Sequence, residues 1–325
     1  MDLGRAIEFI KNGDKFLLSS HVNPDGDGVG SIIGMLGLLR QLGKSYSVIC
    51  ADKPQDKLAF LERFDEFVPY ENSMFGKMSF DHAIIIDSPF LDRIGDPAKL
   101  IKTEAKILNI DHHIDGGNFG TVNLIVPEAA ASAQIVSNIF RRMGVPFDKD
   151  SATALYVGLS VDTGRFRFSN TTSEVLRLAA DLVDAGVKPD EIADKLYYQT
   201  SLENKIGLAK VLSSIELHFD GKVASSWLDY EFLSSAVGKE LDSEGFVNQA
   251  LSIKGVQVAF LIRETEKSRT RVSVRSRNDA IDVNKIARVF SGGGHMRAAG
   301  CKITGSVQDV KARLLAELAP VVGRL

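Results

Sequence analysis

Through the first 126 positions, short unbroken apolar runs alternate with longer segments whose apolar residues recur at three- and four-residue spacing. FLLSS (16–20), SVICA (47–51), HAIIID (82–87), KILNID (106–111) and NLIV (123–126) read as strands buried in a parallel sheet. GVGSIIGMLGLLRQLG and LAFLERF (58–64) read as helices between them, which predicts an α/β sheet with right-handed crossovers. From about 130 to 213 the spacing turns helical, in AASAQIVSNIFRRMG, ATALYVGLSVDTG, TSEVLRLAADLVDAG and SLENKIGLAKVLSSI. Strand signals return in LHFDGKVASSWL, GVQVAFLIRE and TRVSVRSR, with helices expected at about 230–251, 281–290 and 306–319. The expected organisation is an α/β domain at 1–188, a helical connector at 189–213, and a smaller α+β domain at 214–325.

Composition narrows the class. A chain of 325 residues, 44% hydrophobic and 25% charged with 9 prolines, is a globular protein with length for two cores. No run approaches the ~20 apolar residues of a membrane span, and the N-terminus reads as an amphipathic helix instead of a signal peptide, so a cytoplasmic protein without membrane contact is expected. Cys50 and Cys301 lie far apart without CxxC spacing and read as reduced, buried thiols. A net charge of -3 argues against coating long nucleic acid, which needs many Lys and Arg against phosphate. Between Arg263 and Arg297, however, nine Lys or Arg face four Asp or Glu, enough to hold a small anionic substrate.

SSHVNPDGDGVGS (19–31) crowds His21, Asp25 and Asp27 together with no Lys or Arg. Alternate residues of an extended chain point the same way, so the three can converge, and their repulsion calls for a cation. Asp87 ends one predicted strand, Asp111, His112 and His113 end another, and Asp162 lies in VDTGRF. Strand ends of open α/β sheets are where ligands bind. Carboxylate and imidazole donors without thiolate suit Mn²⁺ or Mg²⁺ better than structural zinc, and more than five donors suggest two ions. In SGGGHMRAAG (291–300), three glycines leave backbone N–H groups able to cradle an anion, with His295 and Arg275 or Arg277 as added donors. Arg269 and Arg271 read as an ordinary exposed strand face, and His82 and His218 as residues without a site role.

These stretches resemble the DHH phosphoesterase family: HVNPDGDG, Asp87 in IIDSP, DHH at 111–113 and Asp162 in VDTGRF look like its four motifs in order. VRSR (274–277) and SGGGHMRAAG look like the DHH-associated C-terminal domain, and the order is that of stand-alone nanoRNase/oligoribonuclease members. The resemblance implies that His21 and Asp25 hold one Mn²⁺, that Asp27, His112 and Asp162 hold the other, and that Asp87 bridges them, with Mg²⁺ or Co²⁺ as alternatives. It implies that His113 faces the phosphate and protonates or stabilises the leaving oxygen, with Asp111 orienting a histidine. Arg275, Arg277, Gly293, Gly294 and His295 would grip the nucleotide in a cleft between domains. EAAASAQIV (128–136) departs from the family's usual Ser-Ser-Thr followed by an acid, which leaves Ser132 without an assigned role, as Arg165 and Arg167 are.

The expected function is a metal-dependent phosphohydrolase that degrades short oligoribonucleotides to mononucleotides, and the resemblance implies that it also acts on 3′-phosphoadenosine 5′-phosphate. Its partners are short oligoribonucleotides or nucleotides, with homodimerisation left open. The alternatives weighed are a cyclic or linear dinucleotide phosphodiesterase, a single-strand DNA exonuclease, a pyrophosphatase, and a non-catalytic nucleotide sensor. The sensor predicts a missing ligand, and all six are present.

Overall fold

The computed structural model describes residues 2–75, 77–114, 116–243, 245–278 and 280–323; the side chain of His295 lies outside the described set. The chain divides into two units, Met1–Gln199 and Thr200–Leu325.

In the first unit the apolar runs become β1 (Phe16–Ser19), β2 (Tyr46–Cys50), β3 (Phe67–Pro69), β4 (Phe80–Ile86), β5 (Ile101–Asp111) and β6 (Val122–Ile125). Every pairing is parallel and the order is β3-β2-β1-β4-β5-β6. The chain therefore winds outward in one direction from β1 and in the other from β4, which makes the β1/β4 boundary the switch point where such sheets bind ligands. The helices are α1 (Asp2–Asn12), α2 (Gly26–Gln41), α3 (Asn72–Phe75), α4 (Ser132–Met143), α5 (Lys149–Asp162), α6 (Ser173–Asp184) and α7 (Pro189–Ala193). Side chains of α1, α2, α4, α5 and α6 form one apolar core with one face of the sheet, while Leu17, Ile49, Ile85 and Ile107 line a second core on the opposite face.

The helix expected over 58–64 does not form. Short 3-10 turns at Asp56–Leu58 and Phe64–Glu66 replace it, and Arg63 takes φ +69°. Leu58, Leu61 and Phe64 are all buried, and their three-residue spacing matches the three residues per turn of a 3-10 helix.

The packing of α2 on α5 sets the positions of the acids at their ends. A Cβ at Gly26 would meet the Val161 side chain at 2.5 Å, one at Gly30 the Ala154 carbonyl oxygen at 2.3 Å, and one at Gly34 the Leu155 side chain at 2.6 Å. This stripe of absent side chains lets the two backbones approach closely. The N-terminus of α2, with Asp25 and Asp27, then lies against the C-terminus of α5, which carries Asp162.

The second unit contains α8 (Leu202–Ser213), β7 (Glu216–His218), β8 (Val223–Leu228), α9 (Tyr230–Ser234), α10 (Ala236–Lys239), α11 (Phe246–Leu251), β9 (Val258–Glu266), β10 (Arg269–Ser276), α12 (Val283–Val289), β11 (Gly293–His295), β12 (Ala298–Thr304) and α13 (Val307–Val322). Its sheet runs β11-β12-β10-β9-β8-β7, antiparallel except between β8 and β9. Three short helices take the place of the one expected over 230–251, interrupted at Ser235, which is extended, and at Gly245, with φ +76°. The glycine run read as an anion cradle forms an edge strand: Gly293 pairs with Gly300 and Gly294 with Ala299. Among the described residues no helix is long and apolar enough to cross a membrane.

Candidate metal centre

Seven of the side chains singled out in the sequence converge at the C-terminal ends of β1, β4 and β5. Donor atoms of His21, Asp25 and Asp87 lie within 4.8 Å of one another, as do those of Asp27, His112 and Asp162, and those of Asp87, His112 and His113. Asp87 thus belongs to two of the three groups. It follows β4 directly and takes φ +58° while its N–H donates to the Ile110 carbonyl at 2.9 Å. A non-glycine residue held in the left-handed region marks a side chain re-aimed by its surroundings.

The loop after β1 serves two purposes at once. Asp25 is the N-cap of α2, its Oδ1 accepting from the N–H groups of Asp27 at 2.9 Å and Gly28 at 3.2 Å. Its carboxylate also belongs to the donor group with His21 and Asp87. Asp27, in the first turn of the same helix and fully buried, is fixed differently. Its oxygens accept from the N–H of Ser132 at 2.6 Å, the N–H of Ala133 at 2.9 Å and the Ser31 hydroxyl at 3.1 Å. The N-cap of α4, Ala131, has no side chain able to cap. Asp27 therefore caps α4 from another helix, and the partial positive charge of that helix end offsets part of its burial.

Each histidine is held by Nδ1. That atom of His21 bonds the Val22 carbonyl at 2.8 Å, that of His112 the Ala129 carbonyl at 3.4 Å, and that of His113 the Asp111 carboxylate at 2.7 Å. Nε2 of His21 then lies 3.5 Å from Asp87, and Nε2 of His112 lies 3.2 Å from Asp162 and 3.6 Å from Asp87. Ring orientation through the second nitrogen is the arrangement found around metal-ligating imidazoles. The other oxygen of Asp111, Oδ2, is buried and has no hydrogen-bond partner among the described residues.

The electrostatics show what these side chains lack. Burial, then Asp87, raises the pKa of Asp25; burial, then Asp162 and Asp87, raises that of Asp27. Asp162 is pushed up to about 6, chiefly by burial and, among the neighbouring charges, by Asp25 and Asp87. Burial disfavours the charged imidazoles, but Asp87 outweighs it at His21, raised to about 9, and Asp162 and Asp27 outweigh it at His112, raised to about 10. At Asp87 burial is outweighed by His21, then His112 and His113, and its pKa falls. Four buried or half-buried carboxylates thus compete for the protons of three histidines. A set of oxygen and imidazole donors with this deficit of positive charge fits divalent cations.

Ser132, left without a role in the sequence, is part of this centre: besides its N–H on Asp27, its hydroxyl donates to Asp87 Oδ1 at 3.3 Å. The signal was present in AAAS, a helix start whose N-cap position holds alanine. Beyond Asp162, Gly164, Arg165 and Phe166 all take positive φ, and Asn170 ties the turn down by donating to the Asp162 carbonyl at 3.1 Å. Arg165 stacks on the Tyr197 ring at 3.8 Å and Arg167 donates to the Gly164 carbonyl at 2.8 Å, so both have partners within the fold.

In the second unit, Arg275 is half-buried, with Nη1 on the Val274 carbonyl at 3.1 Å; Arg277 is exposed and donates to the Leu251 carbonyl at 2.8 Å. Gly293, Gly294 and the backbone of His295 form the edge strand. The N–H of Gly292 is already used on the Ala287 carbonyl at 2.9 Å.

A doubly wound sheet carrying this centre, followed by a second α+β unit, defines a class: the chain belongs to the DHH family. Its residues 15–159 match the DHH family, N-terminal domain, and residues 229–323 the DHHA1 domain. It is 34% identical, over 89% of its length and 84% of the relative's, to the bifunctional oligoribonuclease and PAP phosphatase NrnA of Thermus thermophilus. Identity to the protein of that name from Bacillus subtilis is 27% over 96% of both chains. The crystal structure of an exopolyphosphatase-related protein from Bacteroides fragilis superimposes with a TM-score of 0.90 at 26% identity, covering 99% of this chain and 97% of the other.

Proposed function

We propose that this chain is a metal-dependent phosphohydrolase that degrades oligoribonucleotides of a few residues to mononucleotides and also removes the 3′-phosphate of 3′-phosphoadenosine 5′-phosphate. The observation that carries the reading is the sharing of Asp87 between donor groups at the switch point of the sheet. The NrnA relatives, similar over nearly the whole chain, support the substrate class.

His21, Asp25 and Asp87 would hold one divalent ion and Asp27, His112 and Asp162 a second, with Asp87 common to both; Mn²⁺ is the ion proposed. Bound there, such ions supply Lewis-acid activation of phosphate and water. Asp111 accepts from Nδ1–H of His113, so in the imidazolium form the Nε2–H group would address the leaving oxygen and protonate it. Ser132 and Ser31 hold Asp87 and Asp27 in place. Arg275, Arg277 and the strand Gly293–His295 would grip the nucleotide, in keeping with a domain order of catalytic 1–188, connector 189–213 and substrate-binding 214–325. A cytoplasmic location follows from short RNA as substrate.

The test is turnover by Mn²⁺-loaded protein of an RNA dimer, an RNA pentamer, a cyclic dinucleotide and 3′-phosphoadenosine 5′-phosphate, side by side. Mononucleotide release from the linear RNAs and phosphate release from the last are expected. Preferential cleavage of the cyclic dinucleotide, or tight binding without turnover, would refute the proposal.

A further inference from the structure

Strand pairing in the second sheet arranges its cations in rows. Arg271 of β10 lies opposite Arg263 of β9 on one side and Lys302 of β12 on the other. Alternate residues share a face, and the neighbours Ile262, Val272 and Cys301 fill the apolar core on the opposite face. The three cations therefore project together away from that core. Like charges directly opposite one another in a sheet are destabilising. Even so, among the described residues none of the three forms an ion pair with a carboxylate.

Arg263 is the sharpest case. Its guanidinium is half-buried and donates to the Ser243 hydroxyl at 2.6 Å and, at 3.5 Å, to that of Ser273, while its Nε is buried with no partner. Burial and then Arg271 lower its pKa, against a weaker pull from Asp242. Arg271 and Lys302 are exposed.

The next row on the same face holds Leu261, buried in an apolar cluster with Phe246 and Ala250, and beyond it small residues: Ser273 is paired with Gly300, and Gly300 with Gly293, where an added Cβ would meet nothing within 4 Å. The row beyond holds Arg275, Ala298 and position 295. Arg271 and Arg275 are four residues apart, about 14 Å along the strand. That distance leaves room for a separate phosphate at each, with a low floor between them.

We propose that Arg263, Arg271 and Lys302 form a second phosphate-binding row, engaging a phosphate of the oligonucleotide beyond the one held at Arg275. The row would favour substrates of several nucleotides over dimers. This rests on the short-RNA reading above, and binding can be measured apart from cleavage.

The variants are Arg271→Ala, Lys302→Ala and the pair together, all at exposed positions. Binding of 5′-fluorescein RNA pentamer and dimer is followed by anisotropy in EDTA across a salt series; kcat/KM is measured separately with Mn²⁺. For the double variant, pentamer affinity and kcat/KM should fall about tenfold. The log–log salt slope should shrink by about 0.7, the value for one lost phosphate contact on a single strand. The dimer should change by less than about twofold. An unchanged pentamer isotherm, a wild type that does not bind the pentamer, or equal losses on dimer and pentamer would overturn the row. A wild type that binds RNA but cleaves none would overturn the functional reading, while the salt slopes would still decide the row.

Discussion

Replacing Gly30 with alanine tests whether the approach of α2 to α5 builds the centre. The new Cβ would stand 2.3 Å from the Ala154 carbonyl oxygen, where real contacts stay beyond 3.0 Å. The obstacle is backbone, so the helices must separate by about 0.7 Å, the difference between those distances. Overpacking of this kind costs about 1–3 kcal/mol, offset by about 1 kcal/mol of helix propensity gained on replacing glycine. A net loss of about 0–2 kcal/mol is expected. The functional loss should be larger in proportion, because the wedge lies between the helix carrying Asp25 and Asp27 and the helix ending at Asp162. Displacements near 1 Å in a reacting constellation cost about 100-fold in rate, so a fall of about 10- to 100-fold is expected on an RNA dimer. Urea unfolding and initial rates at saturating Mn²⁺ measure the two effects. Gly4→Ala on α1, where a Cβ would meet nothing within 4 Å, is the control and should gain up to about 1 kcal/mol. A Gly30→Ala protein with wild-type stability and rate would refute the argument that this spacing sets the site.

Asp87→Asn should abolish turnover and reduce bound Mn²⁺, counted by elemental analysis, with an unchanged circular dichroism spectrum; full metal content and rate would exclude a shared ligand. Ser132→Ala keeps the N–H on Asp27 but removes the hydroxyl from Asp87, so Mn²⁺ affinity by calorimetry should fall about tenfold with KM for RNA unchanged, and Ser132→Thr should restore it. In chelator-treated protein, the raised values of His21 (about 9) and His112 (about 10) contribute stability that is fully present below the unfolded value of about 6.5 and lost as pH rises through the folded ones. Asp162, raised to about 6, acts in the same direction between about pH 4 and 6. The melting temperature should therefore fall between pH 6.5 and 10, and a rise over that range would contradict the arrangement.

The parallel strands were legible because strands covered on both faces read as unbroken apolar runs, and the acids and histidines at their ends stood out against them. LAFLERF misled because an apolar spacing of three fits a 3-10 turn as well as an α-helix over so short a stretch. The edge strand at Gly293 was hidden because glycine carries no strand propensity, and pairing with β12 overrides that. Ser132 escaped because its role depends on Asp27 reaching across from α2, a contact between residues 105 positions apart. The row Arg263–Arg271–Lys302 depends on strand register. Alternation alone placed Arg271 on an exposed face and could not tell which cations flank it.

Asp27 caps α4, whose own N-cap is alanine, and also belongs to a donor group, so one side chain answers to folding and to chemistry. A descendant that had ceased to cleave RNA would still be selected to keep an acid there, since its loss would fray a helix in the core. An aspartate at this position in a distant homologue is thus poor testimony that catalysis survives. His112 and Asp162, for which no such helix-capping duty is seen, are the positions where decay should be sought first.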